Sequence, residues 1–266
     1  MEFWYRYRND LWKRVTLWDR SPDGSSRPRK NPLEGKLPEN IRRAARMIEG
    51  YALCNDWQWF GTFTLNGDIR DRSDLDGFRD AFMQYLRNVR RSTGTDVQAL
   101  LVPELHKNKK GWHMHGLLNG LPVESLRRFE KKERLPRYLK QKINQGEAIY
   151  DWPGYRDRFG WVDIEPVKNR DAAARYITKY ITKGRDLTAK EIGSGKHLYY
   201  ATKGLSLPER IETDDLFSAP RELPNGLVKG NSYEFDYGVV EWYERPKHTK
   251  DYHEELIRYD KVPQYP

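Results

Sequence analysis

The stretch Gly111-Trp112-His113-Met114-His115-Gly116-Leu117-Leu118 constrains the fold of this chain more than any other. Apolar residues close in on the two histidines, so the segment reads as a buried strand, and the strand period of two puts both imidazoles on one face. Six histidines in 266 residues would give one such spacing by chance in roughly one chain of eight, so the pair alone fits packing as well as ligation. The preceding run, Gln98-Ala-Leu-Leu-Val-Pro-Glu-Leu105, reads as a second strand across the polar turn His106 to Gly111. An antiparallel hairpin with Leu105 opposite Trp112 sets Glu104 opposite His113 and on the face of both histidines. Glu104, His113 and His115 are therefore candidate metal ligands. Two imidazoles and one carboxylate leave positions open for water and substrate, which suits a catalytic divalent ion better than a closed structural site.

A second constellation lies in Asp171-Ala-Ala-Ala-Arg-Tyr176-Ile-Thr-Lys179-Tyr180-Ile-Thr-Lys183-Gly184. An acidic first turn, alanines, apolar Ile177 and Ile181 and a terminal glycine predict a helix. Tyr176 and Tyr180 are four apart and are expected to share a face with Lys179 and Lys183. Seventeen tyrosines produce about one Tyr-x-x-x-Tyr by chance, and Tyr233 with Tyr237 supplies a second. Only the first pair carries lysines on its face.

His113-Met114-His115 and the segment from Tyr176 to Lys183 resemble the His-hydrophobic-His and tyrosine-lysine motifs of the HUH endonucleases. The branch they resemble is that of the rolling-circle replication initiators of single-stranded DNA phages and small plasmids. Phe60-Gly-Thr-Phe-Thr-Leu65 looks like the first motif of that family, and the three occur in the family's order over about residues 36–205. The resemblance implies that Glu104, His113 and His115 hold Mg²⁺ or Mn²⁺, and that Tyr176 and Tyr180 are nucleophiles, as in the twin-tyrosine branch. Lys179 and Lys183 would steady the phenolate or the phosphate. The implied reaction nicks and rejoins single-stranded DNA or an origin hairpin through a 5′-phosphotyrosine, with a separate host helicase as partner. A relaxase or transposase of the same class, a zinc hydrolase, and a basic nucleic-acid-binding sheet whose histidines only pack are the rival readings.

Composition agrees. Net charge is +9, divided unevenly: residues 206–266 hold 8 Lys/Arg against 13 Asp/Glu, leaving 40 against 26 in residues 1–205. A basic body points to a polyanion, and nucleic acid comes ahead of membrane because no basic amphipathic anchor or long apolar run appears. The single Cys54 excludes an internal disulfide and a thiolate metal site. The N-terminus lacks the apolar core of a signal peptide, so a cytoplasmic location, in a bacterial host, is expected. Gly193-Ser-Gly-Lys196 is not a phosphate loop, since Lys190 stands at the required first glycine and His197 at the Ser/Thr.

Three regions follow from these readings: an N-terminal arm and linker over 1–36, a nickase domain over 37–205 and an acidic extension over 206–266. Residues 1–20 alternate aromatic and basic residues, as in an edge strand or a nucleic-acid-contacting arm. Pro38 to Gly50 predicts a helix with Ile41, Ala44, Ala45 and Ile48 inward and Arg42, Arg43 and Arg46 on other faces. Asp56 to Leu65 predicts a strand, with Gly61 marking a bulge or a close approach. Ser73-Asp-Leu-Asp76 reads as a capping box opening a helix with Leu75, Phe78, Phe82, Leu86 and Val89 buried. Pro122 to Gly146, with eight Lys/Arg and three Asp/Glu, is either a solvated helix or a DNA-facing one, with Leu126, Phe129 and Leu139 as anchors. Phe159 to Glu165 and Lys196 to Thr202 predict strands, and Tyr233 to Tyr243 one more, which adds to the sheet edge or meets a partner; its tyrosines are read as packing residues. The order predicts an α+β fold, a central antiparallel sheet with helices on one face, leaving the other for metal and DNA.

Overall fold

The protein was analysed as a computed structural model that describes residues 2–8, 10–17, 32–106, 111–183, 192, 197–211, 226–235 and 238–245. The elements in chain order are β1 (Glu2–Arg8), β2 (Leu11–Leu17), α1 (Pro32–Cys54), β3 (Trp59–Thr64), α2 (Leu75–Thr93), β4 (Gln98–Leu105), β5 (Trp112–Asn119), β6 (Arg127–Arg128), α3 (Arg137–Asn144), β7 (Tyr150–Asp151), α4 (Pro153–Arg156), β8 (Val162–Pro166), α5 (Arg170–Lys183), β9 (Tyr200–Ala201), β10 (Glu209–Ile211), β11 (Val228–Phe235) and β12 (Gly238–Glu244). They build two antiparallel sheets, a seven-stranded one ordered β6-β7-β8-β3-β5-β4-β9 and a five-stranded one ordered β10-β1-β2-β12-β11.

The α+β class is as expected, and the arrangement of helices is richer than a one-sided sheet. Strand alternation gives β3, β4, β5 and β8 two buried faces. One carries Trp59, Phe63, Ala99, Leu101, Met114, Leu118, Val162 and Ile164 and packs on the stripe Leu75, Phe78, Phe82, Leu86 and Val89 of α2. The other carries Phe60, Leu100, Val102 and Leu117 and packs on Ile48 and Ala52 of α1 and Ala173, Ala174 and Ile177 of α5. Helices therefore cover both faces, because both are apolar enough to need cover.

Gly61 and Gly116 stand opposite each other on β3 and β5. A Cβ at Gly61 would lie 2.6 Å from the Phe63 ring, and one at Gly116 would lie 2.6 Å from Leu101 and 3.1 Å from Phe63. The pair is thus a close approach, filled by an aromatic ring rather than marked by a bulge. Helix α2 is capped one residue later than its sequence predicts: Asp74, not Ser73, accepts the Gly77 N–H at 2.8 Å, while the Ser73 hydroxyl donates to Asp71. Either residue can cap, and here Asp71 takes the serine away.

The basic segment after β5 is not one helix but the short strand β6 followed by α3. Phe129 and Leu139 anchor it as expected, with Ile143 and Ile149. The predicted linker overlaps α1, which begins at Pro32; a proline in the first turn has no N–H to leave unsatisfied. Gly193 to Lys196 lie outside the described residues, and the strand predicted there is short, Tyr200–Ala201.

The two chain ends form the second sheet together rather than extending the first, since β2 pairs with β12 from Leu11 with Glu244 to Leu17 with Gly238. The single strand predicted over 233–243 is a hairpin of β11 and β12. Alternating aromatic and basic residues are used for packing: Trp4 is buried against Tyr243, and the Arg14 guanidinium lies over both rings and pairs with the buried Glu241. Tyr233, read as a packing residue, is 62% exposed; Tyr237 lies outside the described residues. This sheet rests on α1 and α5 through Tyr7, Leu11 and Trp242, held by ion pairs of Arg8 with Asp171 at 3.0 Å and Lys13 with Glu49 at 3.4 Å. No helix among the described residues is long and apolar enough to cross a membrane.

Candidate active site

The hairpin register is the expected one: Glu104 faces His113, and Leu105 faces Trp112. Three side chains consequently converge between the seven-stranded sheet and α5. Oε2 of Glu104 lies 3.1 Å from Nε2 of His113 and 2.8 Å from Nε2 of His115. The ligand atoms of all three lie within 4.8 Å of one another and form a candidate metal triad, the one group of this kind among the described residues. Burial opposes ionisation of Glu104, but hydrogen bonds from His113 and His115 outweigh it and hold the carboxyl well below the usual range. Burial pushes His115 down to about 4, against the pull of the Glu104 hydrogen bond. An ionised carboxylate beside a neutral imidazole is the protonation state in which these groups coordinate a divalent cation.

Stacking fixes the His115 ring. Its Nδ1 is buried without a hydrogen-bond partner among the described residues, while the Tyr180 ring lies parallel to it at 3.5 Å and Phe60 stacks at 6.2 Å. Tyr176 meets Tyr180 edge-on at 5.2 Å and Phe60 at 5.1 Å. The helical period thus delivers both phenols to the triad. Burial pushes the Tyr176 hydroxyl up to about 12, opposed by a hydrogen bond with Tyr180 and reinforced by Glu165, Glu104 and Asp163.

The lysines are placed differently from the tyrosines. Lys179, expected on the tyrosine face, lines a cavity of about 360 Å³ between α5, α1 and the second sheet, together with Arg175, Thr178 and Trp242. The side chain of Lys183 lies outside the described residues. Sequence reading missed His106, whose ring packs on His113 at 4.1 Å, and the row of Thr62 and Asp163 beside His115, set by β3 pairing with both β5 and β8. Alternation along Trp161 to Glu165 separates Asp163 from Val162 and Ile164, but only the long-range pairing says which face Asp163 joins.

Residues 58–185 match a family of replication-associated proteins, the one described by the name ORF2. The matched segment encloses β3, the triad hairpin and the whole of α5, and so every candidate ligand and both tyrosines of that helix. No curated protein and no solved structure matches the chain significantly.

Metal binding by the triad has a direct consequence for stability, since a ligand that binds only the folded state stabilises it by about 2.7 kcal/mol at one hundred times Kd. Mn²⁺ titrated into the protein is expected to raise its melting temperature, and His113→Gln to remove that rise. Equal shifts in both proteins would place the ion elsewhere.

Proposed function

We propose that the protein is a replication-initiator endonuclease that nicks and rejoins single-stranded DNA through a covalent tyrosine intermediate. The observation that carries this reading is the Tyr180 ring lying 3.5 Å from the ring of His115, which puts a phenol beside a carboxylate-imidazole cluster. The match of residues 58–185 to replication-associated proteins and the basic body of the chain support it further.

The donor set fits a hard to borderline divalent cation, with Mn²⁺ better matched to imidazole than Mg²⁺. Held by Glu104, His113 and His115, such an ion supplies neutralisation of charge on the scissile phosphate. The chain's own groups do the rest. A tyrosine oxygen bonds to phosphorus, the bond to the 3′ oxygen breaks, and the products are a 5′-phosphotyrosyl link and a free 3′-hydroxyl. The ester conserves the phosphodiester energy, so later attack by a 3′-hydroxyl rejoins the strand without ATP. Tyr180, stacked on His115, is the better placed for the first cut. Tyr176, one helical turn away, is then the second nucleophile, so that one tyrosine holds a strand while the other cuts. Lys179 and Lys183 supply cations on the same helix for the DNA phosphates.

Incubation of the full chain with labelled single-stranded DNA and Mn²⁺ tests this. A covalent protein–DNA adduct is expected. Release of cut DNA without an adduct would indicate hydrolysis, and retention without cutting would indicate a binding protein; either result overturns the proposal.

A further inference from the structure

The triad face of the sheet carries another buried acid that the reaction above leaves unused. Asp163 on β8 stands opposite Thr62, and Thr62 stands opposite His115, so the three form one row across the face. Asp163 is 2% exposed. Its Oδ1 accepts hydrogen bonds from the Tyr138 hydroxyl at 3.1 Å and Trp161 Nε1 at 3.3 Å. Lys142 of α3 also approaches, but its ammonium bonds Glu165 at 2.7 Å. The groups around Asp163 are therefore Trp161 and Glu165 on its own strand, Tyr138 and Lys142 on α3, and Tyr176 on α5, with Thr62 separating it from His115.

A carboxylate kept from water and bonded by two neutral donors is an unfavourable anion. Burial and the nearby Glu165 push Asp163 up to about 6, against Lys142 and the two hydrogen bonds. A group poised there exchanges protons readily near neutral pH. On α5, the buried Tyr176 phenol holds its proton tightly and lies within electrostatic reach of Asp163. Such a nucleophile needs an acceptor for that proton.

We propose that Asp163 is the proton acceptor for Tyr176 in strand transfer. The phenolic proton passes to the Asp163 carboxylate as the Tyr176 oxygen bonds to phosphorus. The bond from phosphorus to the 3′ oxygen breaks with its electron pair on that oxygen, which takes the proton back from Asp163 to become the 3′-hydroxyl. Carboxylate and charge balance are restored. This assignment rests on the nicking reading and says which tyrosine the acid serves.

The test uses the full chain, single-stranded DNA and Mn²⁺, with the modified tyrosine identified by peptide mass mapping over a pH series. Asp163→Asn keeps an oxygen to accept from Tyr138 and Trp161. It is expected to lower the rate of adduct formation on Tyr176 relative to Tyr180 by about 100-fold. In the unaltered protein the Tyr176 rate is expected to fall as pH drops through about 6, the value to which Asp163 is raised, a readout that needs no variant. An unchanged Tyr176 to Tyr180 ratio in the variant, a flat acid limb in the unaltered protein, or adduct on Tyr180 with none on Tyr176 would each overturn the assignment while leaving nicking intact. No adduct on either tyrosine would instead overturn the nicking reading itself.

Discussion

Tyr176→Phe combined with Tyr180→Phe is expected to abolish covalent capture of single-stranded DNA, a loss on the order of 10³-fold or more because no other positioned nucleophile replaces the phenols. The double variant should fold. Phenylalanine keeps the ring that stacks on His115 at 3.5 Å and the one that meets Phe60 at 5.1 Å, and the two hydroxyls removed are hydrogen-bonded to each other, so neither leaves the other unsatisfied. Binding should persist and remain salt-sensitive, since it depends on cations facing phosphates and not on the phenols. Capture on denaturing gels, beside retention on filters at two salt concentrations, separates chemistry from affinity. Adduct surviving in the double variant would move the nucleophile off α5. Of the single variants, Tyr180→Phe is expected to lose more of the first cut.

The parts of this site that local rules govern were legible in the chain. Period two and a short polar turn fix which residues of β4 and β5 face each other, so the pairing of Glu104 with His113 follows from a few dozen letters. Period 3.6 likewise brings Tyr176 and Tyr180 to one face of α5. What local rules do not govern is which strands become neighbours. Asp163 joins the His115 row only because β3 pairs with β8 on one side and β5 on the other. The second sheet depends on Arg14 and Glu241, 227 residues apart in the chain, and no local pattern joins them. Cover on both faces was hidden for a different reason. Phe60, Leu100, Val102 and Leu117 give the triad face an apolar surround, so alternation in β3, β4 and β5 contrasts two buried faces rather than a wet and a dry one. Lys179 shows the limit of spacing arguments on a helix: three residues from Tyr176 and one from Tyr180, it lies at the border of their face and turns to the cavity beside Arg175 and Thr178.

Asp163→Asn is also expected to stabilise the protein at neutral pH, and the sign separates a working acid from a structural one. The folded protein raises this carboxyl from 3.8 to about 6, so it binds the proton more tightly than the unfolded chain does. The stability linked to that proton is fully present below about pH 4 and is lost as pH rises through about 6. At pH 7.5 the group is ionised where burial disfavours the charge, and a neutral amide removes the penalty, a gain of at most roughly 3 kcal/mol for a shift of about two pH units. Denaturant unfolding should therefore show the variant more stable at pH 7.5, with the difference shrinking toward zero near pH 4. A variant less stable at pH 7.5 would mean that the charge is compensated where it sits, and Asp163 would then be part of the scaffold. A substitution that strengthens the fold and slows transfer through Tyr176 is the signature of a group kept for its chemistry.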